Sequence, residues 1–535
     1  MRKPALVGIV SLAVTLFALP AWAASIYVSK SGSDATGDGT LEKPYVTVQK
    51  GIRVAVAGDE VIVMPGTYAE NISFLGKAIT IRSFQPDNQA FVTFTVIDGG
   101  RRTSVVKFTK KEKATSVLKG LTITNGGGTL GAGIRCFGSS PTIEGNIIAG
   151  NSCLDIPRTS YGGGIYCRSA SPVISHNTIQ ANGAVYGGGI AFTGKSTATV
   201  SDNTIKSNLA LLSGGGISLK ASSPAINTNV LEKNTAYYGY GGGAWCDAKS
   251  SPAFSGNTVK TNTAKRGAGL AVWRRSKPAI TGNTITDNAA TDAGGGIAVT
   301  ASSPTISGNT LRGNSVLDGD GGAIWCTSKS SVAIDGNTIM SNKAHGGAGI
   351  ALDAASSATI TGNRINGNMT RVWGGAGVYL RLKCKATIDN NIICGNWSCD
   401  GGSEGGAGLL VNDHSTATIT NCTVAQNRAD SNGGGGIAVS FSAVVKIASS
   451  IFRLNTAPKG AQIAIWQDAA SADVSASNVQ GGQAQVYNDL GVLTWGADNT
   501  DEAPGFAALG SWNDNATPSD VSDDYWEDGD YTVAP

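Results

Sequence analysis

The sequence predicts an all-β solenoid, a three-sided parallel β-helix of about 12–13 regular coils. Three features predict it: a repeat of about 27 residues, short segments in which apolar and polar residues alternate, and two columns of asparagine at fixed positions in the repeat. Gly contributes 73 of the 535 residues, whereas the hydrophobic share is an ordinary 41%. The glycines therefore belong to an ordered repeat and not to a flexible linker.

The repeat is marked by the apolar residue that ends each glycine-rich cluster. Successive positions lie 25–31 residues apart over more than 300 residues, which is the signature of a solenoid. The positions are Ile134, Ile165, Ile190, Ile217, Ala244, Leu270, Ile297, Ile324, Ile350, Val378, Leu409, Ile437 and Ile463.

One repeat, residues 294–316, contains three short alternating segments, Ile-Ala-Val, Thr-Ile-Ser and Thr-Leu-Arg, separated by Gly, Ser-Pro and Gly-Asn. Alternation with a period of two predicts strands, and the punctuation predicts turns. No repeat contains a helical pattern of useful length, which excludes helical and leucine-rich repeats. Three strands per repeat predict a triangular coil.

Asparagine supports the same register independently. Ten repeats carry an Asn with a second Asn five residues later, such as Asn257 with Asn262 and Asn309 with Asn314. Asn tolerates left-handed turns and carries both a hydrogen-bond donor and an acceptor. Stacked one coil apart, the side-chain amides would bond along each column.

Four regions are expected: an export signal at residues 1–23, an N-terminal cap with irregular first coils at 24–130, the regular β-helix at 131–470, and an acidic C-terminal cap at 471–535. The signal rests on Arg2 and Lys3, an apolar run, and an Ala-Trp-Ala cleavage site. Residues 46–57 are expected to form a short amphipathic helix over the first coil. The acidic tail is expected to close the last coil, since no Lys or Arg follows Lys459.

The composition of the chain argues against some kinds of partner. Without the signal, the chain has 39 basic and 38 acidic residues, a balance that argues against a dedicated nucleic-acid binder. No later segment is apolar for long enough to cross a membrane, so we expect a soluble monomer, secreted or in the cell envelope.

Nine cysteines in an exported chain permit disulfides. Cys136 and Cys167 fall at the same inward position of adjacent coils, where a disulfide and two buried thiols are both compatible with the spacing. Cys394 and Cys399 could bridge within one loop. Cys246 and Cys326 are predicted to be buried thiols.

Two terminal segments resemble a known group, the right-handed parallel β-helix proteins of the pectin-lyase-like superfamily. The N-terminal match includes Ile26-Tyr27-Val28-Ser29, Gly37-Asp38-Gly39-Thr40 and Pro65-Gly66-Thr67-Tyr68, and the C-terminal match includes Ala503-Pro504-Gly505-Phe506. The resemblance implies a right-handed coil and leaves function open, because the superfamily includes lyases, hydrolases, adhesins and envelope proteins. Gly-His-Gly and Arg-x-Pro-x-x-Arg are absent, which weakens polygalacturonase-like and pectate-lyase-like activities.

The strand after each glycine cluster is the predicted binding surface. Alternation places large aromatic and charged residues on its outer face, where rings could stack on sugars and cations could pair with uronates or sulfates. The alternative is that these rings pack against long loops from neighbouring turns. The predicted substrate-binding residues are Tyr166, Arg168, Lys220, Trp245, Asp247, Trp273, Trp325, Tyr379 and Arg381.

The turn before that strand holds the catalytic candidates. Asp292, Asp318, Asp320 and His345 fall on three successive coils, where carboxylates could share a proton and the imidazole could accept one. The alternative is an ordinary solvated turn.

No cofactor is required by the sequence, and no zinc pattern occurs. A weaker candidate is a calcium site formed by the tail carboxylates. Its members are Asp523, Asp524, Asp528 and Asp530.

Two functions are compatible with the sequence. The first is interaction with an extended polysaccharide or cell-surface glycan, with cleavage by a lyase or glycoside hydrolase as its stronger form. The second is a noncatalytic, adhesin-like stalk. A small-molecule carrier is disfavoured, because inward Ile, Val, Leu and Asn side chains would fill the coil.

Overall fold

The computed structural model describes residues 23–154, 159–399, 405–467, 469–517 and 524–533. Apart from Ala23, the predicted export signal lies outside the described residues, as does Asp523. The described chain is a right-handed parallel β-solenoid of about 15 turns. The predicted fold class is therefore confirmed. None of the helices in the described ranges has the length and apolarity needed to span a bilayer.

Each regular turn contributes one strand to each of three parallel sheets, numbered here in the order in which a turn meets them. Sheet 1 begins at the apolar residue after the glycine cluster, so the predicted alignment is confirmed strand by strand. Its strands are Ile72–Ser73, Val106–Phe108, Ile134–Phe137, Ile165–Arg168, Ile190–Thr193, Ile217–Lys220, Ala244–Asp247, Leu270–Trp273, Ile297–Thr300, Ile324–Thr327, Ile350–Leu352, Val378–Leu380, Leu409–Val411, Ile437–Val439, Ile463–Trp466 and Tyr487–Asp489.

Sheets 2 and 3 follow along each turn. Sheet 2 contains Ser25–Val28, Glu60–Val63, Thr80–Ser83, Val117–Lys119, Thr142–Glu144, Val173–Ser175, Thr199–Ser201, Ala225–Asn227, Ala253–Ser255, Ala279–Thr281, Thr305–Ser307, Ser331–Asp335, Ser357–Thr361, Lys385–Asp389, Thr416–Thr420, Val444–Ala448, Ser471–Ser475 and Val492–Trp495. Sheet 3 contains Gly66–Ala69, Thr95–Asp98, Thr122–Thr124, Ile147–Ala149, Thr178–Gln180, Thr204–Lys206, Val230–Glu232, Thr258–Lys260, Thr284–Thr286, Thr310–Arg312, Thr338–Met340, Arg364–Asn366, Ile392–Cys394, Thr423–Ala425, Ile451–Arg453 and Asn478–Val479.

A fourth sheet was not predicted. It is parallel, has ten strands, and is formed by the segment between sheet 3 and the next glycine cluster. The strands of sheet 4 are Gly183–Tyr186, Leu209–Ser213, Thr235–Tyr240, Thr263–Arg266, Ala289–Ala293, Ser315–Val316, Lys343–Ala344, Met369–Thr370, Trp397–Ser398 and Arg428–Ala429.

The interior is a stack of aliphatic side chains edged by the two asparagine ladders. Asn309, which is 1% exposed, donates from its side chain to Asn337 Oδ1 at 2.9 Å and accepts from the Asn283 backbone N–H at 2.8 Å. The second column bonds in the same way, for example from Asn314 to Asn342 at 3.0 Å. Both predicted columns are thereby confirmed, and they satisfy buried backbone groups at the turns of successive coils.

The N-terminal helix forms where it was predicted, in the shorter range Val48–Val54, and the side chain of Thr47 caps it by accepting from the Lys50 N–H. Ile52 and Gly51 are buried, and a side chain at Gly51 would clash with valines of sheet 2. Gly51 therefore allows the helix to approach the first coils closely. A second helix, Gln89–Phe94, and a 3₁₀ turn, Gln483–Gln485, are the remaining helical elements in the described ranges.

The C-terminal segment differs from the expected closure of the last coil. Strands Phe506–Ala508 and Asp530–Val533 pair antiparallel, as do Ser511–Asn513 and Tyr525–Glu527. This segment contacts Arg364 and Gln426, which belong to turns well before the end of the solenoid. It packs on the side of the stack because its tryptophan and tyrosine side chains contact apolar residues of the solenoid there.

Candidate functional site

A groove of about 680 Å³ runs along the outer side of sheet 4. Two rows of side chains line it, each row contributing about one residue per turn. The first row is Thr235, Thr263, Ala289, Ser315 and Lys343. The second row is Tyr237, Lys265, Thr291, Leu317, His345 and Arg371. We call this feature the basic groove.

Small side chains between the two rows explain why sheet 4 forms. Ala236, Ala264, Ala290, Val316 and Ala344 form the middle of the groove lining and are buried in one cluster. Each follows the second asparagine of its repeat by two residues. This recurring Ala or Val is the signal in the sequence from which the fourth sheet could have been predicted.

The electrostatic character of the groove comes from Lys265, Lys343 and Arg371, with His345 beside them. None of the described residues that line the groove is Asp or Glu. Tyr237 is 60% exposed and lies in the first of the lining turns. The groove thus offers cations and one accessible aromatic ring to a ligand.

The predicted exposure of aromatic side chains on sheet 1 is wrong for most of them. Tyr166, Trp245, Trp325 and Tyr379 are all between 3% and 7% exposed, and Trp273 is half-buried. The four strands that carry Trp245 to Trp325 are consecutive neighbours, so the predicted vertical alignment of these two tryptophans is confirmed.

Coverage by the segment that leads into sheet 1 explains the burial. Tyr186 stacks on Trp245 with ring centroids 5.8 Å apart, and Tyr240 stacks on Trp273 at 4.4 Å. The Arg266 guanidinium lies 5.3 Å from the Trp325 ring. The alternative interpretation, that these rings pack against segments of neighbouring turns, is the one that the structure supports.

The charged members of the predicted surface differ in accessibility. Arg168 and Lys220 are exposed. Asp247 is fully buried and forms a bidentate ion pair with Arg274. Arg381 is engaged in ion pairs, so it is less available to a ligand than Arg168.

The four catalytic candidates do not converge on one point. Asp292 lies 3.9 Å from Arg266, whereas the Asp318 carboxylate lies 3.4 Å from His345 Nδ1. Asp320 faces Arg381, with 2.8 Å between the carboxylate and the guanidinium. Of the four, only His345 lines the basic groove, where its imidazole could accept a proton. Asp318 lies next to His345 but is not among the lining residues.

Asp320 belongs to a buried charge cluster with Arg381 and Asp353. Arg381 lies 3.3 Å from Asp353 as well as 2.8 Å from Asp320, so one cation faces two carboxylates. Burial raises the pKa of Asp320, and the Asp353 carboxylate adds to that effect, while Arg381 opposes it. This cluster joins the segment between sheet 4 and the glycine cluster to the ends of two sheet 1 strands.

The structure confirms the prediction that two of the cysteines are buried thiols. Cys246 and Cys326 are buried thiols, as predicted. Cys136 and Cys167 lie opposite each other in register and are reduced. The Cys394 thiol points to Asp528 at 3.7 Å.

The tail carboxylates have other partners. Asp528 pairs with Arg364, and Asp530 accepts from Thr532 N–H and hydroxyl groups at 3.0 and 2.8 Å. Within the described ranges, no group of three or more His, Cys, Asp and Glu side chains is arranged to hold a metal ion. The calcium site therefore stays a prediction, part of which concerns Asp523 outside those ranges.

Comparison with known proteins identifies the family. The family described as right handed beta helix region matches residues 109–285, 260–393 and 343–479, which is more than half of the chain. The protein belongs to this family. It is also 32% identical over 103 residues to the uncharacterized protein YwoF of Bacillus subtilis (strain 168), a match that covers 18% of this chain and 21% of that protein.

Three solved structures show low similarity to this chain. XylC in complex with xylose has 10% identity and a TM-score of 0.27, covering 91% of this chain and 88% of that chain. The PL6 family alginate lyase AlyGC has 11% identity and a TM-score of 0.22, covering 84% and 98%. The GH136 lacto-N-biosidase from Eubacterium ramulus has 10% identity and a TM-score of 0.18, covering 89% and 67%. At such low values these likenesses carry no inference about substrate or activity.

Proposed function

We propose that the protein binds an extended anionic polysaccharide along the basic groove. The observation that carries the proposal is the lining, in which Lys265, Lys343 and Arg371 occur without any Asp or Glu among the described residues. Lys and Arg pair with carboxylates and sulfates, which are the charged groups of acidic polysaccharides.

The dimensions of the groove support a linear ligand. Its lining residues come from six successive turns, and at about 4.8 Å per turn they extend for about 24 Å. One turn is close to the advance of one sugar in an extended polysaccharide, so successive sugars would meet equivalent positions. Tyr237 would stack on a sugar face near one end.

Export through the predicted signal at residues 1–23 would bring the groove to extracellular or cell-envelope glycans. We therefore propose that location together with the binding function.

Cleavage is a separate proposal, favoured by the Asp318–His345 pair at the groove. A carboxylate beside Nδ1 can orient the imidazole and leave Nε2 as the proton acceptor. Incubation with acidic polysaccharides should then produce new reducing or unsaturated ends. His345→Asn should retain binding and lose that product, and the absence of any product with the unmodified protein would reject cleavage.

The binding proposal is tested with neutral, uronate-containing and sulfated polysaccharides at several salt concentrations. The triple variant Lys265→Ala, Lys343→Ala, Arg371→Ala should bind acidic chains about tenfold more weakly, with a smaller salt dependence. The matched control is Lys277→Ala, Lys385→Ala, Lys446→Ala, which removes three exposed lysines away from the groove.

Each outcome decides between functions. Equal loss in both triple variants would show that the groove is not the binding surface. Failure of the unmodified protein to bind any member of the panel would reject the proposal and favour the noncatalytic stalk.

A further inference from the structure

The basic groove stops abruptly toward the C-terminal end of the solenoid. Its first row of side chains continues in register from Lys343 to Met369 and then to Trp397. Ser315 and Lys343 are partly exposed, whereas Met369 and Trp397 are 1% and 5% exposed. The same line of positions is therefore open on one side of this boundary and covered on the other.

Trp397 is covered by Arg428, whose guanidinium lies 4.5 Å from its ring, and its indole N–H donates to Asp430. The C-terminal segment adds to this cover, and its residues 506–513 and 525–533 are called the end wall here. Trp512 lies edge-on to Trp397 with ring centroids 5.2 Å apart. Trp526 packs behind Trp512 and sits over Gly367 and Gly395, where any side chain would collide with the indole. These two glycines therefore leave the space in which Trp526 of the end wall packs.

Polar contacts fix the end wall in place. Asp528 forms an ion pair with Arg364. Gln426 donates to Gly510 O at 3.0 Å and accepts from Gly510 N at 3.1 Å and from the Tyr531 hydroxyl at 2.6 Å. The end wall is thus held in place by apolar contacts, an ion pair and hydrogen bonds.

Positive charge lies near the closed end of the groove. Arg371 belongs to the turn of Met369, the first covered position of the row, and Lys343 belongs to the turn before it. Lys265 lies three turns earlier than Lys343, about 14 Å along the axis. The exposed side chains of Val372 and Trp373 follow Arg371 directly.

We propose that the basic groove recognises the terminus of an anionic polysaccharide, whose last sugar lies against the end wall. The carboxylate or sulfate of that sugar pairs with Lys343 and Arg371, and the rest of the chain runs toward Tyr237. An internal segment would have to leave this line at the end of the groove, because the next position of the first row is occupied by Trp397, against which Trp512 packs. This inference rests on the proposed polysaccharide binding.

The test compares polygalacturonate and dextran sulfate fractions of different defined lengths at equal mass. If the protein binds polysaccharide termini, the amount of bound protein should be proportional to the number of polysaccharide ends. Halving the length of the polysaccharide should then double the protein bound per unit mass of polysaccharide. Saturation per unit mass that does not change with length would overturn the inference and leave the binding function intact. Absence of binding at every length would overturn both.

A variant separates the wall from the cations. Trp512→Ala should open the closed end while leaving Lys343 and Arg371 in place, so long chains should bind more protein per unit mass and the length dependence should weaken. Trp495→Ala, a half-buried tryptophan at the end of sheet 2, is the matched control and should keep the length dependence.

Folding of both variants is verified by thermal unfolding and far-UV circular dichroism. If Trp512→Ala does not fold, Gln426→Ala, which removes three hydrogen bonds to the wall, replaces it with the same expected result. A folded wall variant with unchanged dependence on chain ends would contradict the role given to the wall.

Discussion

The asparagine ladder allows a sharp test of how the coils are held in register. Asn309 is 1% exposed, and its side-chain amide donates to Ile280 O at 2.8 Å, to Ser307 O at 3.0 Å and to Asn337 Oδ1 at 2.9 Å. Its oxygen accepts from the backbone and side-chain N–H groups of Asn283 at 2.8 and 3.0 Å. Asn309→Ala removes all these bonds and adds no strain to the interior.

The expected destabilisation follows from what is left behind. The Asn283 backbone N–H loses its acceptor in the interior, and an unsatisfied buried group costs about 1–3 kcal/mol. The carbonyls of Ile280 and Ser307 each lose a donor, and the missing amide leaves a small void. We expect a loss of about 3–5 kcal/mol in the free energy of unfolding.

Two measurements check this value. Denaturant unfolding should show the loss against Asn227→Ala, a half-buried asparagine on the outer face of sheet 2, which should change stability by less than about 0.5 kcal/mol. Because solenoids can open locally, hydrogen exchange of the Asn283 amide is the more direct measurement, and its rate should rise by at least about 100-fold. Equal effects of the two substitutions would refute a stabilising ladder.

Two further predictions concern close packing and buried charge. Gly243→Ala would place a Cβ 2.5 Å from Gly269 O and should lower the free energy of unfolding by about 2–3 kcal/mol. Gly308 has open space around its Cβ and a φ of +61°, so Gly308→Ala should lower the free energy of unfolding only by the left-handed backbone strain of about 1 kcal/mol. Similar melting temperatures for both would argue against backbone contact as the reason for the glycine columns. Arg381→Met should destabilise by about 2–4 kcal/mol at neutral pH, because the buried Asp320 and the partly exposed Asp353 lose their cation. Since burial already raises the pKa of Asp320, the folded state holds that proton more tightly than the unfolded chain, and stability should fall as the pH rises above 3.8 through the raised pKa. The variant should therefore recover stability in acid, and a pH-independent deficit would count against the charge explanation.

The sequence by itself determined the coil. The period of the apolar residue after each glycine cluster, the alternation on either side of it and the paired asparagines are all local patterns, and each maps directly onto one strand or one turn. Stacking identical units then follows from hydrogen bonding between neighbours, so the register of Trp245 above Trp325 could be predicted without any knowledge of distant contacts.

Only the tertiary structure decided which outward side chains meet solvent. Alternation shows that Trp245 points away from the core, but the path of the segment that leads into an earlier strand of sheet 1 decides whether Tyr186 lies over it. The same holds for Asp320, whose partner Arg381 comes from a turn two repeats later. The basic groove is formed by the segment between sheet 3 and the next glycine cluster, and the end wall is formed by the C-terminal segment. Contacts such as Trp397 with Trp512 join residues that no repeat pattern relates, so the sequence pattern did not predict them.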